Sequence, residues 1–471
     1  MFRTLWLAVL LSGVPLFAQD QLAKGTIIDK VPCISRPTQS YAVFLPSSYS
    51  RDVPHPILYC FDPGARGKVP VELFKDTAEQ LGYILVGSNN SKNGPWGPIQ
   101  EAIQAVWDDT HARFALDPRR FYTTGMSGGG GPAWTLANSG AAGTIICASV
   151  LEIKEELLKD VPFAFFGTAG LADFNYPYVD RHGETLLKLG KPARFETFEG
   201  GHAWPPAELA SEALLWMDLQ AMKSGLKKRD DSFLDQQFQS RRAQATSLEA
   251  EGKLWEAWLA WRSLSLDFAG LKEVGETGVK ATALSENKKV RERRKELADI
   301  AQAQQRREQE LLRARAILER PQQASLLGQD EDRQEEFTGG AATELWRLVS
   351  QMKKQMERTV YDRERILSQR VLDGFYIGSI YYGRDLLERK DYAPAAVVLE
   401  ICTEIRPKTA GLLFDLARAQ AALRSKKKAL STLEKAIEAG FKDRDRLKTT
   451  PEFESLQKED RYQQLIARLG E

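Results

Sequence analysis

Between about residue 40 and residue 222, short apolar runs alternate with stretches of helical periodicity. "YAVFLP", "PILYCFD", "YILVGS", "RFYTTG", "GTIICASVLEI", "VPFAFFGTAG" and "ARFETFEG" read as strands. Between them, "VELFKDTAEQLG", "IQEAIQAVWDDTHARF", "GPAWTLANSG", "YVDRHGETLLKLG" and "PAELASEALLWMDLQAM" read as helices; in the second, Ile99, Ile103, Val106 and Trp107 share one face. Strands that are apolar along their whole length must be covered on both sides. Their alternation with helices predicts an α/β fold built on a mainly parallel sheet.

Past residue 222 the strands stop and the chain turns helical, rich in Ala, Leu, Glu, Lys and Arg. Lys288 to Arg320 reads as one long charged, solvated helix, and Arg320 to Gly340 as a loop or hinge. Near the end a period of 34 pairs Gly383 with Ala417, Ala395 with Ala429, Leu399 with Leu433 and Cys402 with Ala436. Small residues at the first two of these registers let paired helices approach closely. "DYAPAAVVLEICTEIRP" and "KKALSTLEKAIEAGF" resemble tetratricopeptide repeats, with Pro407 at the repeat end, and such helices present a surface to a protein partner. The chain therefore divides by pattern into a leader at 1–18, an α/β unit at 19–222, a helical region at 223–335 and a repeat-like helical region at 336–471.

The leader has the form of an export signal: a basic start, "MFR", an apolar core, "TLWLAVLLSGVPLF", and a cut expected after Ala18. That core is short for a membrane span, and no later stretch replaces it. The expected location is periplasmic or secreted. A formal net charge of +1 gives no basic excess for nucleic acid. Four scattered cysteines, with no C-x-x-C, give no metal or redox motif, and no cofactor is called for.

"GMSGG" fits G-x-S-x-G, with Ser127 at a sharp strand-to-helix turn. A nucleophilic serine needs a base, and the base needs an acid that fixes its tautomer. Of four histidines, two follow Ser127. His182 lies inside a predicted helix, whereas His202 lies in the loop after the last strand, at the carboxyl edge of the sheet where ligands bind. Asp173, in the loop after the preceding strand, is the candidate acid. An oxyanion hole needs two backbone N–H groups. Gly128 supplies one; for the other, in "YCFDPGARG", Pro63 has no N–H, which leaves Gly64 or Ala65, with Gly64 favoured. Trp96, in the long loop Gly87 to Gln100, and Trp204, beside His202, are candidate pocket walls.

Taken together, "YAVFLPSSY", "FDPGARG", "GMSGG", "GTAGLADFNY" and "EGGHAWPP" resemble the compact esterase branch of the α/β-hydrolases: the polyhydroxybutyrate-depolymerase-like, feruloyl-esterase-like and dienelactone-hydrolase-like proteins. The resemblance covers under half the chain. It implies Ser127 as nucleophile, Asp173 as acid and His202 as base, acting on a small or polymer-linked ester. One departure is plain: Asp62-Pro63 stands where many relatives carry His-Gly. Two other functions share parts of this pattern, a serine peptidase of the prolyl-oligopeptidase type and a non-catalytic envelope scaffold. The α/β unit is expected to work without the helical tail.

Overall fold

The computed structural model describes residues 22–151, 155–319, 331–358 and 362–469. The expected leader at 1–18 lies outside them. At the centre is an eight-stranded sheet in the order β1-β2-β4-β3-β5-β6-β7-β8. The strands are β1 (Ile27–Pro32), β2 (Ser40–Phe44), β3 (His55–Phe61), β4 (Ile84–Ser88), β5 (Leu116–Met126), β6 (Gly143–Cys147), β7 (Ala164–Gly170) and β8 (Ala193–Phe198). β1 and β2 pair antiparallel, as do β2 and β4; the remaining pairs are parallel. This is the mainly parallel α/β sheet expected from the sequence. β1 is an addition: "IIDKVP" carries a charged pair and a proline, as edge strands do, and so lacks the apolar signature of its neighbours.

Successive residues of β3 serve opposite cores, as the period of two requires. Leu58 and Cys60 join a cluster with Val71 and Phe74 of helix α1 (Lys68–Leu81) and with Leu214 and Met217 of helix α6 (Ala207–Lys223). Ile57, Tyr59 and Phe61 join the other, with Ala105 and Val106 of α2 (Trp96–Arg113) and Ala133 and Leu136 of α3 (Gly130–Ala137). Cys60 and Cys147 are buried in this core as free thiols, and burial pushes the Cys147 thiol up to about 12. They act as small hydrophobes.

The expected boundary at residue 222 does not divide the core. The cluster containing Leu214 and Trp216 runs on through Leu234, Ala257, Trp261, Leu264 and Phe268 to Val290. Helices α7 (Asp231–Ala250) and α8 (Leu254–Phe268) thus complete a hydrophobic surface that α6 leaves open. A buried ionic knot fixes them. Asp267 of α8 accepts from Arg194 of β8 at 3.2 Å, from Arg241 of α7 at 2.6 Å and from Trp216 of α6 at 2.7 Å. Arg194 also pairs with Glu196 and Glu212.

Further on, α10 (Lys288–Glu319) is the long helix expected, but it is not simply solvated. Val290, Ile300 and Leu311 are fully buried, the last two against the helices Glu331–Met356 and Arg363–Glu388. The first of these two helices also runs through the expected boundary at 335/336 and the second part of the expected hinge at 320–340; the first part of that hinge lies outside the described residues. The helices Arg363–Glu388, Tyr392–Ile405, Ala410–Ala422 and Lys426–Glu438 follow one another through short connections. The residues spaced at 34 are buried in them, and Gly383 lies so close to Leu399 that a Cβ would come within 2.7 Å of its side chain. Among the described residues no helix is long and apolar enough to cross a membrane.

Asp267→Ala leaves Arg241 without its carboxylate partner, while Arg194 keeps Glu196 and Glu212, and it is expected to cost about 3 kcal/mol of stability. Urea denaturation of the full chain measures this, and an unchanged midpoint would separate the helices from the sheet.

Candidate active site

β5 delivers Ser127 at its carboxyl end. The chain passes from strand through one tight turn, Ser127–Gly129, directly into α3. Ser127 sits at φ +52°, a conformation that costs a residue with a side chain on the order of 1 kcal/mol or more and is retained only where the surroundings enforce it. What enforces it is the close crossing of strand and helix: a Cβ on Gly125 would lie 1.9 Å from the carbonyl oxygen of Gly129. Of the two later glycines in the run, Gly130 abuts Ser149, whereas Gly131 faces open space.

The loops after β7 and β8 bring in the other two groups. His202 Nε2 lies 2.8 Å from Ser127 Oγ, and His202 Nδ1 lies 3.0 Å from Asp173 Oδ1. A carboxylate can only accept, so Nδ1 carries the proton and Nε2 is left to accept from the serine hydroxyl. Asp173 is fully buried. Its Oδ1 also accepts from the Asn175 backbone at 2.8 Å, while its Oδ2 has no hydrogen-bond partner. The ring of Phe174 lies against His202 with centroids 4.3 Å apart. The remaining histidines are elsewhere: His55 bonds to Gly82 and Ser50, His111 to Trp107, and His182 borders a cavity that Phe174 also lines.

Gly64, expected as the second oxyanion donor, is not available. Its N–H donates to Asp62 Oδ1 at 2.8 Å, and that of Ala65 donates to the Asp62 carbonyl at 2.9 Å. Asp62 is instead a buried hub, taking further bonds from Arg66 Nε at 2.8 Å, Arg66 Nη2 at 2.9 Å and Trp204 Nε1 at 3.0 Å. Burial opposes its charge, but the bonds from Arg66, Trp204 and Gly64 outweigh burial and hold its carboxyl below the usual value of 3.8. The Asp62-Pro63 departure thereby acquires a physical role: it ties the loop after β3 to the loop that carries His202. Trp204 is the strut of that tie. Trp96, at the start of α2, is 45% exposed. Neither tryptophan lines the two large cavities of this region.

The residue beside Gly128 is Asn93, from the long loop after β4. A Cβ on Gly128 would fall 1.9 Å from Asn93 Oδ1, so the side-chain amide lies directly over the turn that holds Ser127. Asn93 Nδ2 also donates to the Tyr381 hydroxyl at 3.2 Å, which belongs to the helix Arg363–Glu388. That helix and α10 line a cavity of about 750 Å³ with Val150, Leu151, Phe174 and Tyr178; from the tail come Glu308, Leu312, Arg315 and Phe375. A second cavity, about 770 Å³, lies between α5 (Tyr176–Lys188), β8, α8 and α10. Among the described residues no cluster of His, Cys, Asp and Glu could hold a metal ion.

No family model and no curated protein matches the chain. Solved structures do resemble it over its first part. A thermostable esterase is 18% identical, with a TM-score of 0.34; the match covers 41% of this chain and 62% of that one. A fluorophosphonate-binding serine hydrolase of Staphylococcus aureus is 17% identical, with a TM-score of 0.35, over 41% of this chain and 99% of its own. An acylaminoacyl peptidase of Pyrococcus horikoshii is 15% identical, with a TM-score of 0.32, over 41% of this chain and 40% of its own.

Since the folded-state pKa of Asp62 is depressed, its stabilisation is present above the usual carboxylate value and is lost as pH falls through the folded one. Acid unfolding of wild type should therefore steepen below about pH 4. Asp62→Asn should be less stable at neutral pH and show a weaker dependence between pH 5 and 3. Equal slopes for the two proteins would remove Asp62 from this role.

Proposed function

We propose that this protein is an exported serine hydrolase that cleaves carboxylic esters through an acyl-enzyme. The observation that carries the reading is the hydrogen-bonded line from Ser127 Oγ through His202 to Asp173. His202 takes the serine proton as Oγ attacks the ester carbonyl, and Asp173 holds the ring and stabilises its positive charge. The proton then passes from Nε2 to the departing alcohol. In the second half, His202 activates water and the acyl group leaves as a carboxylic acid.

Gly128 N–H is one donor to the oxyanion. With Gly64 and Ala65 occupied, the other donor is the second N–H of the Asn93 side-chain amide, the one not given to Tyr381, as that amide covers Gly128. One side of the ester occupies the cavity bounded by Phe174, Leu151 and Phe375, whose apolar walls and volume suit a small acyl or aromatic group. The leader sequence supports export to the periplasm or beyond, and the repeat-like helices beyond Tyr392 support a docking role toward a protein partner.

A fluorophosphonate probe tests the central claim. Wild type should be labelled and Ser127→Ala should not; equal labelling of the two overturns the enzyme reading in favour of a scaffold. Hydrolysis of a p-nitrophenyl ester is expected to exceed that of an aminoacyl amide, and the reverse order would favour a peptidase. Asn93→Ala should lower kcat by roughly 100-fold, the size of effect seen when one oxyanion donor is removed, while leaving KM within a few-fold. For export, N-terminal sequencing of the protein recovered from its producing cell should begin at Gln19.

A further inference from the structure

Arg370 is an unusual residue to find where it is. It lies in the helix Arg363–Glu388, yet its side chain is fully buried against the loop that carries Asp173. Nε and Nη2 both donate to the carbonyl of Leu171, at 2.8 and 2.5 Å. Its guanidinium lies 4.2 Å from the centre of the Tyr176 ring. Three residues beyond Leu171, the carbonyl of Phe174 accepts from Gln304 Nε2 of α10 at 2.8 Å, and Gly374 packs on the Phe174 side chain. The backbone on both sides of Asp173 is therefore gripped by the helical tail.

One carbonyl does not need a buried cation; a neutral amide would satisfy it without the cost of removing a charge from water. What a cation adds is its field. Arg370 Nη1 is buried with no hydrogen-bond partner, and so is Asp173 Oδ2. The two lie in one neighbourhood with opposite charges, and in a low-dielectric interior such charges interact strongly without touching.

We propose that Arg370 is a positioning residue for the hydrolytic reaction, holding the Asp173 loop through Leu171 and balancing the buried Asp173 carboxylate from the helical tail. The proposal rests on the reading of Ser127, His202 and Asp173 given above. It runs against the expectation that the α/β unit works without its tail. Several ionisable groups face Arg370: Asp173, Tyr176 and Asp180 from the α/β unit, with Arg293 and Glu308 from α10. Burial pulls the guanidinium down to about 10, against the support of Tyr176, Asp173 and Asp180, so it stays charged at neutral pH.

The sign of its effect follows. A positive charge behind Asp173 disfavours a second one on His202. Removing it lets His202 take up a proton at higher pH, and the acid limb of kcat/KM moves upward. The experiment uses the full chain, a p-nitrophenyl ester and the fluorophosphonate probe. Arg370→Gln keeps a donor for Leu171 but loses the charge. It should lower kcat/KM about tenfold and raise the acid limb by about one pH unit, the scale of a single charge at such range. Arg370→Lys keeps the charge but cannot reproduce the paired bonds to Leu171, so its acid limb should stay at the wild-type position while kcat falls several-fold. If Arg370→Gln fails to fold by circular dichroism, Arg370→Lys decides: a wild-type acid limb with lowered kcat supports the proposal, and a shifted limb or an unchanged kcat overturns it. A folded Arg370→Gln with the wild-type profile overturns the proposal alone, provided Ser127 is still labelled in wild type. Absence of Ser127-dependent labelling in wild type overturns this proposal together with the hydrolase reading.

Discussion

The crossing of β5 over α3 is the contact on which the site depends. Gly125 and Gly129 bring backbone to backbone at a distance no side chain would permit, and the chain between them has no relaxed way to turn. Ser127 takes the strain, at φ +52°, and is lifted clear of the carboxyl edge of the sheet. Every other element of the site is arranged around a position fixed by that steric fact. The loops after β7 and β8 reach it because parallel strands end at the same edge, so Asp173 and His202, far apart in sequence, open onto the same ground.

A second layer of organisation is electrostatic. Asp62 gathers Arg66, Gly64 and Trp204 on one flank, and the knot of Arg194, Arg241 and Asp267 binds the helices α7 and α8 to β8 on the other. Neither cluster touches Ser127. Both hold the loops and helices that frame it, and both place charge where burial makes an unpaired partner costly. The frame is thus rigid for a reason that packing area alone would not supply.

Much of the α/β unit was legible because its strands are apolar end to end, and its elbow because a glycine pair brackets a serine between strand and helix. The candidate base could be picked out because histidine is scarce: His202 alone follows Ser127 in a loop at the proper edge. What was not legible came from pairing across long separations. β1 carries a charged, proline-ended sequence that becomes a strand only because β2 offers an edge. Gly64 looked free because nothing in "FDPGARG" announces that the Asp62 side chain turns back onto it. Arg370 and Tyr381 looked like ordinary residues of a charged helix, since the groups they meet lie some two to three hundred residues away. The boundary at 222 was drawn where composition changes, whereas Trp216 and Trp261 share one core across it.

That shared core has a consequence in time. A ribosome makes the chain from its N-terminus, and Ser127, Asp173 and His202 all emerge long before Arg370. Until the helix Arg363–Glu388 has been made and has docked, the Leu171 carbonyl lacks its cation, the Phe174 carbonyl lacks Gln304 if α10 is still undocked, and the face of α6 that carries Trp216 waits for α8. Contacts of such long sequence separation form late. The loop that carries Asp173 is therefore without its contacts from the helical tail for most of the chain's synthesis.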